Sequence, residues 1–179
     1  AFVAGAGDNL TFYFNYVTSD GSGFADYGWA ELVSGGSHVA WLFTGRTQPS
    51  GNTSPGFGLP ANDATLIPAS SAIIPGGPVW SPLGSDSGAC YDDGCGYTGW
   101  IQSSYNIGSA GIFQVVYGVT NWNDSSYDSG LAFDGLAIND VPIGGVVPEP
   151  ATWAMLILGF GAVGGTLRRR QQTARVSFA

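Results

Sequence analysis

The feature that most constrains this chain is a run of eighteen uncharged residues, 150–167, held between Glu149 and the cluster Arg168-Arg169-Arg170. A soluble helix of that length would carry a polar stripe, and this run has none. As a helix rising about 1.5 Å per residue it reaches about 27 Å, close to the thickness of a hydrocarbon core. Pro150 suits a first helical turn, and Trp153 sits where an interfacial aromatic anchors a span. Arginines directly after a span stay cytoplasmic, which leaves everything before it outside. The expectation is a transmembrane helix over 150–167 and a cytoplasmic basic tail over 168–179. A buried C-terminal helix is the alternative. Gly159, Gly161 and Gly164 match a dinucleotide-loop spacing, but that chemistry needs a preceding strand and an acid about 20 residues on. No acid follows, so these glycines read as a close-packing helix face.

The remainder is acidic. Residues 1–150 hold thirteen acids against Arg46 alone, a net charge of −12, and the chain has no lysine. Such a body has no electrostatic footprint for nucleic acid. With 44% hydrophobic and 13% aromatic residues, it is not a disordered acidic chain either. The chain opens at Ala1 with no initiator Met and no secretory signal, as in a processed protein or a fragment. It opens almost inside a strand, so one or two earlier strands are expected.

The body reads as all-β. In 10–17, Leu10, Phe12, Phe14 and Tyr16 alternate onto one face. Further strands are expected at 27–33, at 38–43 with Val39, Trp41 and Phe43 on one side, at 111–119 and at 130–138. Clusters of Gly, Ser, Asn and Asp separate them. Strands without intervening helices suggest an antiparallel β-sandwich, jelly-roll-like, over 1–141, with a barrel as the alternative. Residues 45–88, rich in Gly, Pro and Ser, read as a long excursion across one face. Residues 142–149 form a linker.

Pro148-Glu149-Pro150, the apolar run with Trp153, and Arg168-Arg169-Arg170 together resemble the PEP-CTERM sorting signal over about 25 residues. The resemblance implies an exported protein of a Gram-negative bacterium. It implies an exosortase as partner, cutting near the Pro-Glu-Pro motif through a membrane-held intermediate with the body in the periplasm. Such proteins occur in bacteria that make extracellular polysaccharide. Ser19-Asp20-Gly21, Phe24-Ala25-Asp26-Tyr27 and Tyr127-Asp128-Ser129-Gly130-Leu131 resemble paired motifs of bacterial choice-of-anchor surface domains. The block from Cys90 to Trp100 is similar to one that PEP-CTERM proteins share.

Cys90 and Cys95 favour a local disulfide in an oxidising compartment. The metal alternative is weak, because His38 is the only histidine and no structural zinc set closes. Asp20, Asp26, Asp124 and Asp128 lie in two Gly-, Ser- and Asn-rich loops, which offer the hard oxygen ligands calcium needs if the loops meet. Turns also favour Asp and Asn without any ion. Asp134 falls within a strand and is expected to point outward or to be hydrogen-bonded. Trp80, Trp100 and Trp122, with Tyr91 and Tyr97, sit in or beside loops. There they either stack on sugar rings or staple loops to the sheets.

Two function classes follow. The first is a non-catalytic surface or matrix protein that binds or organises exopolysaccharide; a structural component without a ligand is its plainer form. The second is a glycoside hydrolase or lyase using Asp residues. Glycosidase chemistry needs two suitably spaced carboxylates. Glutamate occurs only at Glu31 and Glu149, and no nucleophile elbow, His-based triad or zinc motif is present.

Overall fold

A computed structural model describes residues 1–24, 26–48, 51–144 and 155–160. The chain divides into two compact units, Ala1–Ile143 and Gly144–Ala179.

The first unit contains two antiparallel sheets. One has the order β1 (Phe2–Ala4), β9 (Gly111–Thr120), β3 (Tyr27–Ser34), β4 (Ser37–Arg46). In the other, β2 (Asn9–Thr18) is central. One side of β2 pairs with β10 (Ser129–Ile138), which carries β11 (Val141–Pro142). Its other side pairs with β8 (Ile101–Asn106) along 9–14 and with β7 (Gly96–Tyr97) at 17–18. Outside these lie β5 (Thr65–Ile67) on β8 and β6 (Ile74–Pro75) on β7. The five expected strands are all present.

The core forms where the inner faces meet. Leu10, Phe12 and Phe14 of β2 pack with Ala30 and Leu32 of β3 and with Ala40, Leu42 and Phe43 of β4. Phe14 and Phe43 stack with centroids 3.8 Å apart. The Ser103 hydroxyl facing this core is satisfied, its Oγ donating to the Leu42 carbonyl at 2.9 Å, whereas the buried Tyr117 hydroxyl has no partner among the described residues.

Three sequence expectations change. On β4 the register slips between the pairs Ala30–Phe43 and Glu31–Trp41, a bulge that buries both Leu42 and Phe43. The bulge reverses the alternation before it. Ala40 therefore points inward and Val39 is 40% exposed, so Val39 does not share the Phe43 face. Second, 45–88 is not a featureless excursion, since it holds β5, β6 and a kinked 3-10 segment at Ser81–Asp86. Third, β8 was not expected. Its Ser103, Ser104 and Asn106 mask the alternation that Ile101 begins.

In the second unit, residues 155–160 are helical. Among the described residues no helix is long and apolar enough to cross a membrane. The positions expected to carry the sorting signal, namely Pro148, Glu149, Pro150, Trp153 and Arg168 to Arg170, lie outside the described residues.

Candidate functional site

Two features stand out on the first unit: an aromatic groove and an acidic pocket. The groove lies on the outer face of the β2 sheet. Along β2, Asn15 and Val17 alternate away from the core side of Phe14 and Tyr16. Ala132 pairs with Asn15, and Tyr97 pairs with Val17. Together these residues floor a cavity of about 450 Å³ whose walls are Pro78, Val79, Trp80 and Trp100. Trp100 is 55% exposed and Tyr97 39% exposed. Trp80 is fixed from behind: its N–H donates to Ser87 Oγ at 2.9 Å, and its carbonyl accepts from the Leu83 N–H at 3.0 Å. The ring lies against Gly130 of β10, where any side chain would collide with it. Trp80 and Trp100 thus converge although twenty positions apart. Trp122 is elsewhere, in a cavity of about 240 Å³ with Tyr27, Arg46 and Leu59.

The acidic pocket forms where the loop after β2 meets the loop before β10. The Ser19 N–H and hydroxyl both donate to the Asp128 carbonyl, at 3.2 and 2.8 Å. Asp26 is fully buried. Its Oδ1 accepts from the Trp122 N–H at 2.8 Å and its Oδ2 from the Ser129 hydroxyl at 2.7 Å. Burial, reinforced by Asp20 and Asp124, pushes its pKa up to about 6 against these two bonds. Asp20 is 1% exposed. Its Oδ1 accepts from the Gly21 N–H at 2.7 Å, while its Oδ2 has no partner. Burial, with help from Asp124, raises its pKa as well. Asp124 is exposed and holds the Ser126 N–H at 2.9 Å. Asp20 and Asp124 line one cavity of about 180 Å³ with Phe24, Tyr91, Ser126 and Tyr127.

Of the four acids expected to share an ion, Asp20 and Asp124 thus line one cavity. Asp26 has both oxygens engaged. Asp128 is exposed and does not line that cavity; its N–H donates to Asp86 Oδ2 at 2.9 Å and its Oδ1 accepts from Asn121 at 3.5 Å. Among the described residues no three Asp, Glu, His or Cys side chains form a metal-holding group. Asp134 is exposed, and its carboxylate accepts from the Gly135 N–H at 2.7 Å.

The expected disulfide is present, and sequence reasoning missed only where its loop packs. Cys90 and Cys95 are disulfide-bonded, with Cα atoms 5.6 Å apart. The loop they close is laced to the residues after β2: the Tyr91 N–H donates to the Ser19 carbonyl at 2.9 Å, and the Ser22 N–H to the Asp93 carbonyl at 2.8 Å. Gly21 sits so close to Asp92 that an added Cβ would lie 2.7 Å from the Asp92 Cβ. The only sequence signal for this contact was Gly21 itself.

The fold and these features define an antiparallel two-sheet β-protein with a surface aromatic groove and a disulfide-braced acidic pocket. In the second unit, the PEP-CTERM protein-sorting motif matches residues 146–171. That motif implies export to the cell envelope or surface, with processing by an exosortase. No curated protein and no solved structure matches the chain. The likeness of the acidic loops to choice-of-anchor domains is therefore without support from a relative.

Proposed function

We propose that this chain is a surface or matrix protein of a Gram-negative bacterium whose body binds or organises exopolysaccharide without catalysis. The observation that carries the reading is the groove in which Trp80, Tyr97 and Trp100 meet over Asn15. Aromatic faces on a fixed β-surface, with a side-chain amide between them, suit the apolar faces and hydroxyls of sugar rings. The net charge of the body disfavours direct contact with an anionic polymer, so the groove is assigned an uncharged polysaccharide.

The tail reading goes with this. Residues 150–167 span the inner membrane during export, with Arg168 to Arg170 on the cytoplasmic side, the body in the periplasm, and the exosortase cutting near Pro148-Glu149-Pro150. The uncharged length and flanking arginines support it. The body is assigned a jelly-roll-like topology because the chain changes sheet at β1–β2, β2–β3, β4–β5, β8–β9 and β9–β10. A non-catalytic role is supported by Asp26, the acid pushed up to about 6, being buried with both oxygens engaged.

The test is titration of the detergent-solubilised full chain with uncharged and acidic polysaccharides, followed by Trp100→Ala. An exposed stacking ring is worth about 1 kcal/mol or more, so the variant should bind at least about fivefold more weakly. Equal binding by the variant, or no binding to any polymer, refutes the groove assignment. Release of reducing ends during the titration refutes the non-catalytic one.

A further inference from the structure

We infer that the pocket between the Asp20 loop and the Asp124 loop is a calcium site, with Asp20 Oδ2 and the Asp124 carboxylate as its protein anchors. This inference does not rest on the groove, which other residues form.

The argument begins with the unpartnered oxygen. Asp20 is 1% exposed, and its Oδ2 has no hydrogen-bond partner while its Oδ1 takes the Gly21 N–H. A buried carboxylate with an unsatisfied oxygen is strongly unfavourable unless it is protonated, paired with a cation or bound to a metal. Asp124 lines the same cavity, so the site gathers negative charge.

Among the described residues no side-chain cation is bonded there. Arg46 is the only arginine among the described residues, and there is no lysine. Its guanidinium donates to the Phe57 carbonyl at 2.7 Å. The one histidine, His38, is bonded to Glu31 at 2.9 Å. Among the described residues no side-chain cation answers Asp20, which leaves a cation from solution as the partner of its ionised form.

The donors decide which cation. Asp20, Asp124 and Ser126 present only oxygen, with neither imidazole nor thiolate lining the cavity. Oxygen-only donors suit calcium and magnesium over the transition metals. Magnesium demands a near-ideal octahedron and sheds water reluctantly, whereas calcium accepts irregular sites completed by carbonyls and water. Two carboxylates on separate loops make an irregular site. Few charged ligands also mean weak binding, in the class of extracellular modules at about 10⁻⁴–10⁻³ M.

The experiment uses the detergent-solubilised full chain, stripped with chelator and titrated with calcium chloride alone. At a hundredfold excess over the dissociation constant the melting temperature should rise by about 5–10 °C. Terbium offers a second reading, because Tyr91 and Tyr127, with ring centroids 4.9 Å apart, line the cavity and would sensitise its luminescence. Asp124→Asn should abolish both signals; the residue is exposed, so its replacement spares folding. Asp134→Asn, on an exposed strand position, should keep both. The inference is overturned by no shift at about 10 mM calcium, or by an unchanged shift in Asp124→Asn. An equal response to magnesium overturns the choice of calcium. Loss of sugar binding in Trp100→Ala with the calcium response intact separates the two sites.

Discussion

Gly130→Ala tests the groove from behind without touching its exposed face. The added methyl group would overlap Cζ3 of Trp80 and lie 3.2 and 3.3 Å from Cη2 and Cε3. Carbon atoms settle at about 3.5–4.0 Å, so the ring must move by roughly 1 Å. It cannot do so by sliding its backbone, which is bonded at both the N–H and the carbonyl. The ring must rotate off its rotamer or β10 must shift, and overpacking of this kind costs about 1–3 kcal/mol. For a chain of this size that lowers the melting temperature by about 3–10 °C. Calorimetry of the variant beside Gly108→Ala provides the comparison, since Gly108 has open space around its Cβ position. Polysaccharide titration of both should show weaker binding only in Gly130→Ala. If the two variants melt within about 1 °C of each other and bind alike, Trp80 is not held as described.

Further predictions follow from the acidic pocket and the tail. Asp26 holds its proton up to about pH 6 in the folded chain, against an ordinary value of 3.8. Its contribution is therefore fully present below about pH 4 and lost as pH rises through about 6, a swing of about 3 kcal/mol that solvent screening reduces to about 1–2 kcal/mol. Urea unfolding in chelator should show greater stability at pH 4.5 than at pH 7, a difference that Asp26→Asn reduces and that Asp20, whose pKa burial also raises, keeps in part. Replacing Cys90 and Cys95 together by Ala should cost about 2 kcal/mol by loop-closure entropy, read as a lower urea midpoint. Expressed with an exosortase, a chain with Arg168, Arg169 and Arg170 changed to Ser should accumulate uncut on an immunoblot; normal processing would remove the arginines from the sorting role.

Much of the sheet was legible because one face of each central strand is oily. Leu10, Phe12, Phe14 and Tyr16 declare β2 on their own, and all four are buried. The slip in β4 was not legible, since a bulge is set by cross-strand pairing and leaves no periodic trace. β8 was hidden because the hydroxyl that breaks its pattern, Ser103, is satisfied by a carbonyl of the opposite sheet. The tail was legible from its lack of charge together with its flanks, which are properties of composition and order. The groove and pocket were only half legible. The residue types were visible in 80–100 and 20–26, but their meeting depends on strand pairing across more than a hundred positions.

The short cysteine-closed loop has a consequence for timing. It grips the chain at Ser19 and Ser22, next to Asp20 Oδ2, the one buried carboxylate oxygen without a partner among the described residues. Copies still awaiting translocation sit among reduced thiols, where that clasp stays undone. The acid-lined recess is thus expected to take its final shape only after the chain has left the cell interior, so maturation and address become one event.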